Sequence, residues 1–183
     1  MKAEQLIQTA LDCGAKKAVL IDQSQIVLSS EFRAMCAQNS CGNYGRCWMC
    51  PPDVGDIGRM MAEVRRFPCA LLYQTIHEIE DSFDIEGMLE AGRAHAQVSY
   101  ALQSSLHLAA PFLHLTRGGC GLCDECTKPS GMPCRHPDKA LPSLESYGVD
   151  VYNTTRTTHL KYINGQNTVT YFGLLLFSEE SHA

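Results

Sequence analysis

Eight of the ten cysteines in this 183-residue chain fall in two short stretches, and this clustering limits the possible folds more than any other feature. The first stretch, CAQNSCGNYGRCWMCPP, covers residues 36–52, and the second, CGLCDECTKPSGMPCRHP, covers residues 120–137. Glycines and prolines interrupt both stretches, so neither can continue as a regular helix or strand. We therefore expect two irregular cysteine loops, at about residues 36–52 and 118–137, attached to a scaffold formed by the rest of the chain.

The rest of the chain alternates between strand-like and helix-like segments. Apolar runs predict core strands at residues 17–22, 69–76, 112–116 and 168–177. Helical periodicity and end signals predict helices at residues 3–13, 56–67, 84–109 and 141–148. Residues 25–29 are compatible with a second strand of a hairpin, residues 149–154 with an extended segment, and residues 155–162 with one or two helical turns. This alternation predicts an α/β fold, with α+β as the alternative, in which helices flank a single sheet. The whole chain, residues 1–183, is expected to form one domain.

Charge and hydropathy exclude several classes of partner. The formal net charge of −5 provides no basic surface, so we expect no nucleic-acid partner. No apolar run approaches the length of a membrane span, so we expect no membrane partner. The N-terminal segment lacks the apolar centre of a signal peptide, which predicts a cytoplasmic protein. In a reducing compartment, clustered cysteines indicate metal or redox chemistry rather than disulfides.

The second cysteine loop has the more diagnostic spacing. Cys120, Cys123, Cys126 and Cys134 follow the pattern C-x2-C-x2-C-x7-C. Two consecutive x2 gaps allow one compact loop to place three thiolates around a cluster, as in bacterial ferredoxins. The longer gap contains glycine and prolines that can return the fourth cysteine to the same site. The spacing therefore favours a [4Fe–4S] cluster over zinc, because four-cysteine zinc sites normally join two separated C-x2-C pairs.

The first cysteine loop has a less specific pattern. Cys36, Cys41, Cys47 and Cys50 give C-x4-C-x5-C-x2-C. Four thiols permit a second [4Fe–4S] cluster. If Cys47 is a bystander instead, three ligands would leave one iron open to water, substrate or a different ligand. A zinc-stabilised loop is a third interpretation.

The chain resembles a family of small, cysteine-rich proteins described as predicted metal-binding proteins, domain of unknown function 2284. The segments that carry the resemblance are CGNYGRCWMCPP, GGCGLCDEC, GMPCRHP and PSLESYGVDV, which lie between residues 41 and 151. The resemblance implies metal binding, and it leaves the role of Cys47 open. The ligands that it implies are Cys36, Cys41, Cys50, Cys120, Cys123, Cys126 and Cys134. It implies no particular reaction or substrate.

Three functional hypotheses follow from these patterns. The leading hypothesis is an iron–sulfur protein with two [4Fe–4S] clusters that transfers electrons to or from a partner oxidoreductase. The alternatives are an enzyme that uses an open iron at the first loop, and a zinc-stabilised interaction module. Nucleotide-binding and serine-hydrolase motifs are absent from the sequence. We interpret His114 as a core histidine and His136 as a solvated loop residue.

Overall fold

A computed structural model of the chain describes residues 3–108 and 110–178, and within these ranges the chain forms one four-stranded sheet. The strands are β1 (Lys17–Asp22), β2 (Cys69–Glu78), β3 (Phe112–Leu115) and β4 (Thr168–Phe177). They lie in the order β1-β2-β4-β3, and every neighbouring pair is antiparallel. The two long central strands, β2 and β4, pair along their whole lengths. They form the rigid centre of the molecule.

Helices cover both faces of this sheet. The helices are α1 (Ala3–Asp12), α2 (Glu31–Ala37), α3 (Ile57–Val64), α4 (Ile85–Ser105) and α5 (Val151–Arg156). On one face, Leu71 of β2 packs in a cluster with Leu6 of α1 and Leu102 of α4. On the other face, Leu72 packs in a cluster with Val64 of α3. Because both faces are covered, successive strand residues are apolar rather than alternating with polar ones. The predicted single sheet flanked by helices is confirmed, with antiparallel pairing throughout.

Two strand-like predictions are wrong for local reasons. Residues 25–29 do not form a hairpin strand, because a 3-10 turn at Gln23–Gln25 takes the chain away from β1. Leu28 instead forms an isolated bridge with Val149. Residues 149–154 are largely helical rather than extended, because the Asp150 carboxylate accepts a hydrogen bond from the Asn153 amide and caps α5. The helical turns predicted at residues 155–162 end with α5, at Arg156.

The predicted helix at residues 141–148 is reduced to a 3-10 turn at Glu145–Tyr147. The backbone at its start pairs with the end of β3 instead. The Thr116 amide donates to the Pro142 carbonyl at 3.0 Å, and the Leu144 amide donates to the Thr116 carbonyl at 2.9 Å. The short helix α2, which carries Cys36, was not predicted, since its seven residues contain no buried side chain and show little apolar periodicity. No helix within the described ranges is long and apolar enough to cross a membrane.

A buried polar network joins the sheet to α4. The Tyr73 hydroxyl donates to Ser99 Oγ at 2.7 Å and lies 2.8 Å from His114 Nε2. Since the hydroxyl proton is used toward Ser99, His114 must donate from Nε2, which leaves its buried Nδ1 as an unpartnered acceptor. His95, also fully buried, bonds through Nδ1 to the Thr75 hydroxyl at 2.9 Å. The prediction of a core histidine at position 114 is confirmed.

Because of these two histidines, we expect the folded protein to be less stable in mild acid. Burial lowers the pKa of both His95 and His114 to about 3. The unfolded chain takes up these protons near pH 6.5, whereas the folded chain cannot, so the free energy of unfolding falls as the pH drops below about 6.5. Between pH 7 and pH 5.5 we expect a loss of about 1.3 kcal/mol per histidine.

Urea unfolding at the two pH values measures this loss. The variant His95→Gln cannot be protonated and can still bond to Thr75. Between pH 7 and pH 5.5 the variant should lose about 1.3 kcal/mol less unfolding free energy than the unmodified chain, because it lacks one of the two histidines. An equal loss in both proteins would contradict the assignment.

Candidate metal centre

The four cysteines of the second loop surround one narrow cavity. Cys120, Cys123, Cys126 and Cys134 all line a space of about 20 Å³, which is room for a water-sized group. The second loop begins just after β3, and its only regular element is a 3-10 turn at Lys128–Ser130. Since most of the surrounding backbone is irregular, few secondary-structure hydrogen bonds oppose widening of this cavity. We call these four residues the second cysteine group.

Three cysteines of the first loop line a different and much larger cavity. Cys36, at the end of α2, shares a space of about 580 Å³ with Cys41 and Cys50. Its volume lies within the range of small-molecule pockets. We call these three residues the first cysteine group.

Cys47 does not line the cavity of its neighbours in sequence. It lines the narrow cavity with the second cysteine group, although it belongs to the first loop. The Cys50 amide donates to the Cys47 carbonyl at 3.0 Å, so the two residues occupy one tight turn between the cavities. Both side chains are buried. The structure therefore divides the eight predicted ligands into three and five, rather than into four and four.

The thiol of Cys47 connects the two groups electrostatically. A hydrogen bond from Cys50 lowers the pKa of the Cys47 thiol to about 6, against burial, and a further interaction with the Cys126 thiol acts in the same direction. The same hydrogen bond, together with burial and the charges of Cys47, Cys41 and Cys36, raises the pKa of Cys50. The shifts of the two pKa values have opposite directions because the same hydrogen bond joins the two thiols.

Two hydrogen bonds reach the sulfur atoms of the second group. The Tyr100 hydroxyl of α4 lies 3.4 Å from Cys120 Sγ, and the His136 amide donates to Cys134 Sγ at 3.4 Å. Burial raises the pKa of Cys120, while the Tyr100 contact lowers it in part. The His136 side chain is exposed, as predicted. Hydrogen bonds to ligand sulfurs tune the reduction potential of a bound cluster.

The two cysteine loops are fastened to each other by side chains outside the cysteine pattern. The Trp48 indole N–H donates to the Met132 carbonyl at 3.1 Å, and the Lys128 ammonium lies 4.2 Å from the centre of the Trp48 ring. Lys128 also forms an ion pair with Asp53. These contacts join the first loop to the second across the turn that holds Cys47. The separation of the cavities is therefore maintained by packing between loops.

The donor chemistry of both groups fits a thiophilic metal centre. All ten cysteines are free thiols, and eight of them line the two cavities. Thiolate sulfur is the ligand of choice for iron–sulfur clusters and for zinc. Within residues 3–108 and 110–178, however, no three cysteine, histidine or acidic side chains converge closely enough to hold a single metal ion. The thiols of each group share a space without meeting at one point.

The two remaining cysteines lie outside these cavities. Cys13 and Cys69 are half-buried, and both pack beside the core cluster formed with α1 and α4. Cys69 Sγ donates to the Phe177 carbonyl at 3.3 Å. In these surroundings the two residues act as small apolar side chains of the core.

A comparison with models of protein families gives a match. The model of the family described as "Predicted metal-binding protein (DUF2284)" matches residues 19–177. The chain belongs to this family. The match extends from within β1 to the end of β4, so the matched region includes both cysteine loops together with the sheet that supports them. The comparisons with curated proteins and with solved structures gave no match.

The structure adds residues to the site that the cysteine pattern did not predict. Arg117, Tyr162 and Phe172 line the large cavity together with the first cysteine group. Tyr100 reaches Cys120 from α4. A sequence signal existed only for Arg117, a cation placed directly between a predicted core strand and the Gly118-Gly119 pair. The aromatic residues are far from the cysteines along the chain and reach the site through folding alone.

Proposed function

We propose that this protein is an iron–sulfur protein that holds two [4Fe–4S] centres and transfers electrons to or from a partner oxidoreductase. The observation that carries the proposal is the position of the two cysteine groups on either side of the Cys47–Cys50 turn. Centres in these positions would be neighbours, and neighbouring redox centres can exchange electrons directly. The ferredoxin-like spacing of the second group supports iron–sulfur chemistry over zinc.

The residues assigned to the metal have distinct roles in this proposal. Cys120, Cys123, Cys126 and Cys134 would hold the second centre, and Cys36, Cys41 and Cys50 would hold the first. When bound, such centres take up and release single electrons. With the cysteines as thiolates, the Tyr100 hydroxyl and the His136 amide would both donate to sulfur and would favour the more negative, reduced state of such a centre. Cys47, which lines the cavity of the second group, is not assigned to either centre in this proposal.

A second candidate function is an enzyme with an open metal position at the first group. It is supported by a specific observation, since three cysteines rather than four share the large cavity. A three-thiolate set leaves one coordination position free, and the cavity supplies space for a ligand beside it. Electron delivery through the second group is compatible with this function.

The proposal is tested by measuring iron, acid-labile sulfide and zinc in protein purified without oxygen, together with its visible spectrum before and after reduction. We expect about eight iron and eight sulfide per chain, with a broad absorption that bleaches on reduction. About two zinc per chain without sulfide would overturn the proposal and leave the zinc-stabilised interaction module. About four iron per chain would limit the proposal to a single centre, held by the second cysteine group.

A further inference from the structure

We infer that the large cavity beside Cys36, Cys41 and Cys50 is a binding site for a small planar carboxylate, with Arg117 as the residue that recognises it. The inference rests on the proposed function only for the presence of a metal centre at the cavity wall. The site itself is defined by Arg117 and by aromatic rings, which belong to no cysteine group.

The cavity is lined by several aromatic side chains. Its volume of about 580 Å³ is that of a small-molecule site. Tyr162 and Phe172, two of its lining residues, stack with ring centres 5.7 Å apart and planes 10° apart. Tyr171 is a further aromatic lining residue. Aromatic faces bind flat apolar bodies by offset or edge contacts, so the walls favour an aromatic or conjugated ligand.

The cation Arg117, unpaired within the described residues, points to an anionic group on that ligand. Arg117 lines the cavity and is half-buried, yet no acidic side chain in the described part of the chain forms an ion pair with it. Its described hydrogen bond is from Nε to the Gly92 carbonyl at 2.9 Å, which leaves both terminal nitrogens for a ligand. A partly desolvated cation without a counter-ion is unfavourable, and a carboxylate pairs with guanidinium through two parallel hydrogen bonds.

The scaffold positions this guanidinium in a defined place. The Arg117 guanidinium carbon lies 5.7 Å from the centre of the Tyr171 ring. Gly92 of α4 is buried directly beneath it, and a Cβ atom at this position would lie 2.9 Å from the guanidinium carbon. Glycine inside a helix is less stable than alanine, and the close approach of Arg117 explains why glycine is present at position 92. Arg117 is thus held by α4 and by Tyr171.

One carboxylate also borders the cavity. Glu145, which follows Leu144 at the 3-10 turn, is half-buried and lines the cavity. It forms no ion pair with Arg117 within the described residues. A ligand with its carboxylate at Arg117 would thus keep its uncharged part between the aromatic walls. This arrangement predicts selection for a single carboxylate attached to a flat apolar body.

The test uses benzoate as the probe and benzamide as its uncharged counterpart, with binding to the metal-loaded protein measured by calorimetry. We expect benzoate to bind with a Kd of about 1 mM or below, and benzamide to bind at least tenfold more weakly. Arg117→Gln should weaken benzoate binding at least tenfold, and Arg117→Lys should restore part of it. Gly92→Ala, which displaces the guanidinium without removing it, should also weaken binding.

Three results would overturn the inference: no benzoate binding, equal binding of benzamide, or full affinity in both Arg117→Gln and Gly92→Ala. The comparison of benzoate with benzamide needs no variant, so it tests the inference even if Arg117→Gln fails to fold. Metal content measured on the same samples separates the two proposals. Metal-loaded protein that does not bind benzoate would overturn this inference and leave the proposed function unaffected. Arg117-dependent benzoate binding in protein that, purified without oxygen, holds zinc and no sulfide would support the inference and overturn the proposed function.

Discussion

Replacing Cys50 by alanine is expected to remove about half of the bound iron and sulfide, whereas replacing Cys47 by alanine should leave both close to their full values. The two residues lie in the same turn and are both buried, so their substitutions should disturb packing to a similar extent. They differ in which cavity they line. Cys50 completes a set of three, and its loss leaves only two thiolates at the first centre. Cys47 adds a fifth thiol to a set of four.

Iron and sulfide per folded chain measure this difference, with circular dichroism as the check that each variant folds. Cys126→Ala should remove the other half of the iron, because it belongs to the second group. Cys13→Ala, outside both cavities, is the matched control and should keep all of it. If Cys47→Ala also loses half of the iron, Cys47 is a ligand, and the assignment of the metal to sets of three and four cysteines without it is contradicted.

Replacing Gly173 by alanine is expected to destabilise the fold by about 4 kcal/mol. Gly173 of β4 pairs with Tyr73 of β2, and a Cβ atom at position 173 would overlap the Tyr73 ring and hydroxyl. Tyr73 is fully buried and cannot move away without losing its hydrogen bonds to Ser99 and His114. The expected loss combines overpacking with broken buried hydrogen bonds, each worth about 1–3 kcal/mol when a partner is left unsatisfied.

Urea unfolding of the single and double variants tests whether the Tyr73 ring causes this loss of unfolding free energy. In a Tyr73→Leu background the overlapping ring atoms are gone, so Gly173→Ala should cost less than about 1 kcal/mol. Additive losses in the double variant would show that the ring is not the obstacle. Because the sheet carries β3 and the start of the second loop, a destabilised Gly173→Ala protein should also lose metal at a lower urea concentration.

Much of the scaffold could be predicted because its signals are local. The apolar run at residues 17–22 and the closing run at residues 168–177 match β1 and β4 at both ends. The predicted helix at residues 84–109 is present as α4, capped by Asp84, but it ends at Ser105. The wrong predictions lie in segments with a weak hydrophobic pattern, where a helix cap or a turn decides the structure. Asp150 starts a helix in a segment that looked extended, and the bridge to Thr116 limits residues 141–148 to a single 3-10 turn.

The sequence by itself determined the four strands and the spacing of the cysteines, because each depends on neighbours only a few positions away. Folding alone decided that Cys47 faces the second group and that the first group borders a cavity. Its walls come from α2, Arg117 and the Tyr171–Phe172 pair of β4, which lie far apart along the chain. Contacts over such separations arise from packing on both faces of one sheet, and a local sequence pattern cannot predict them.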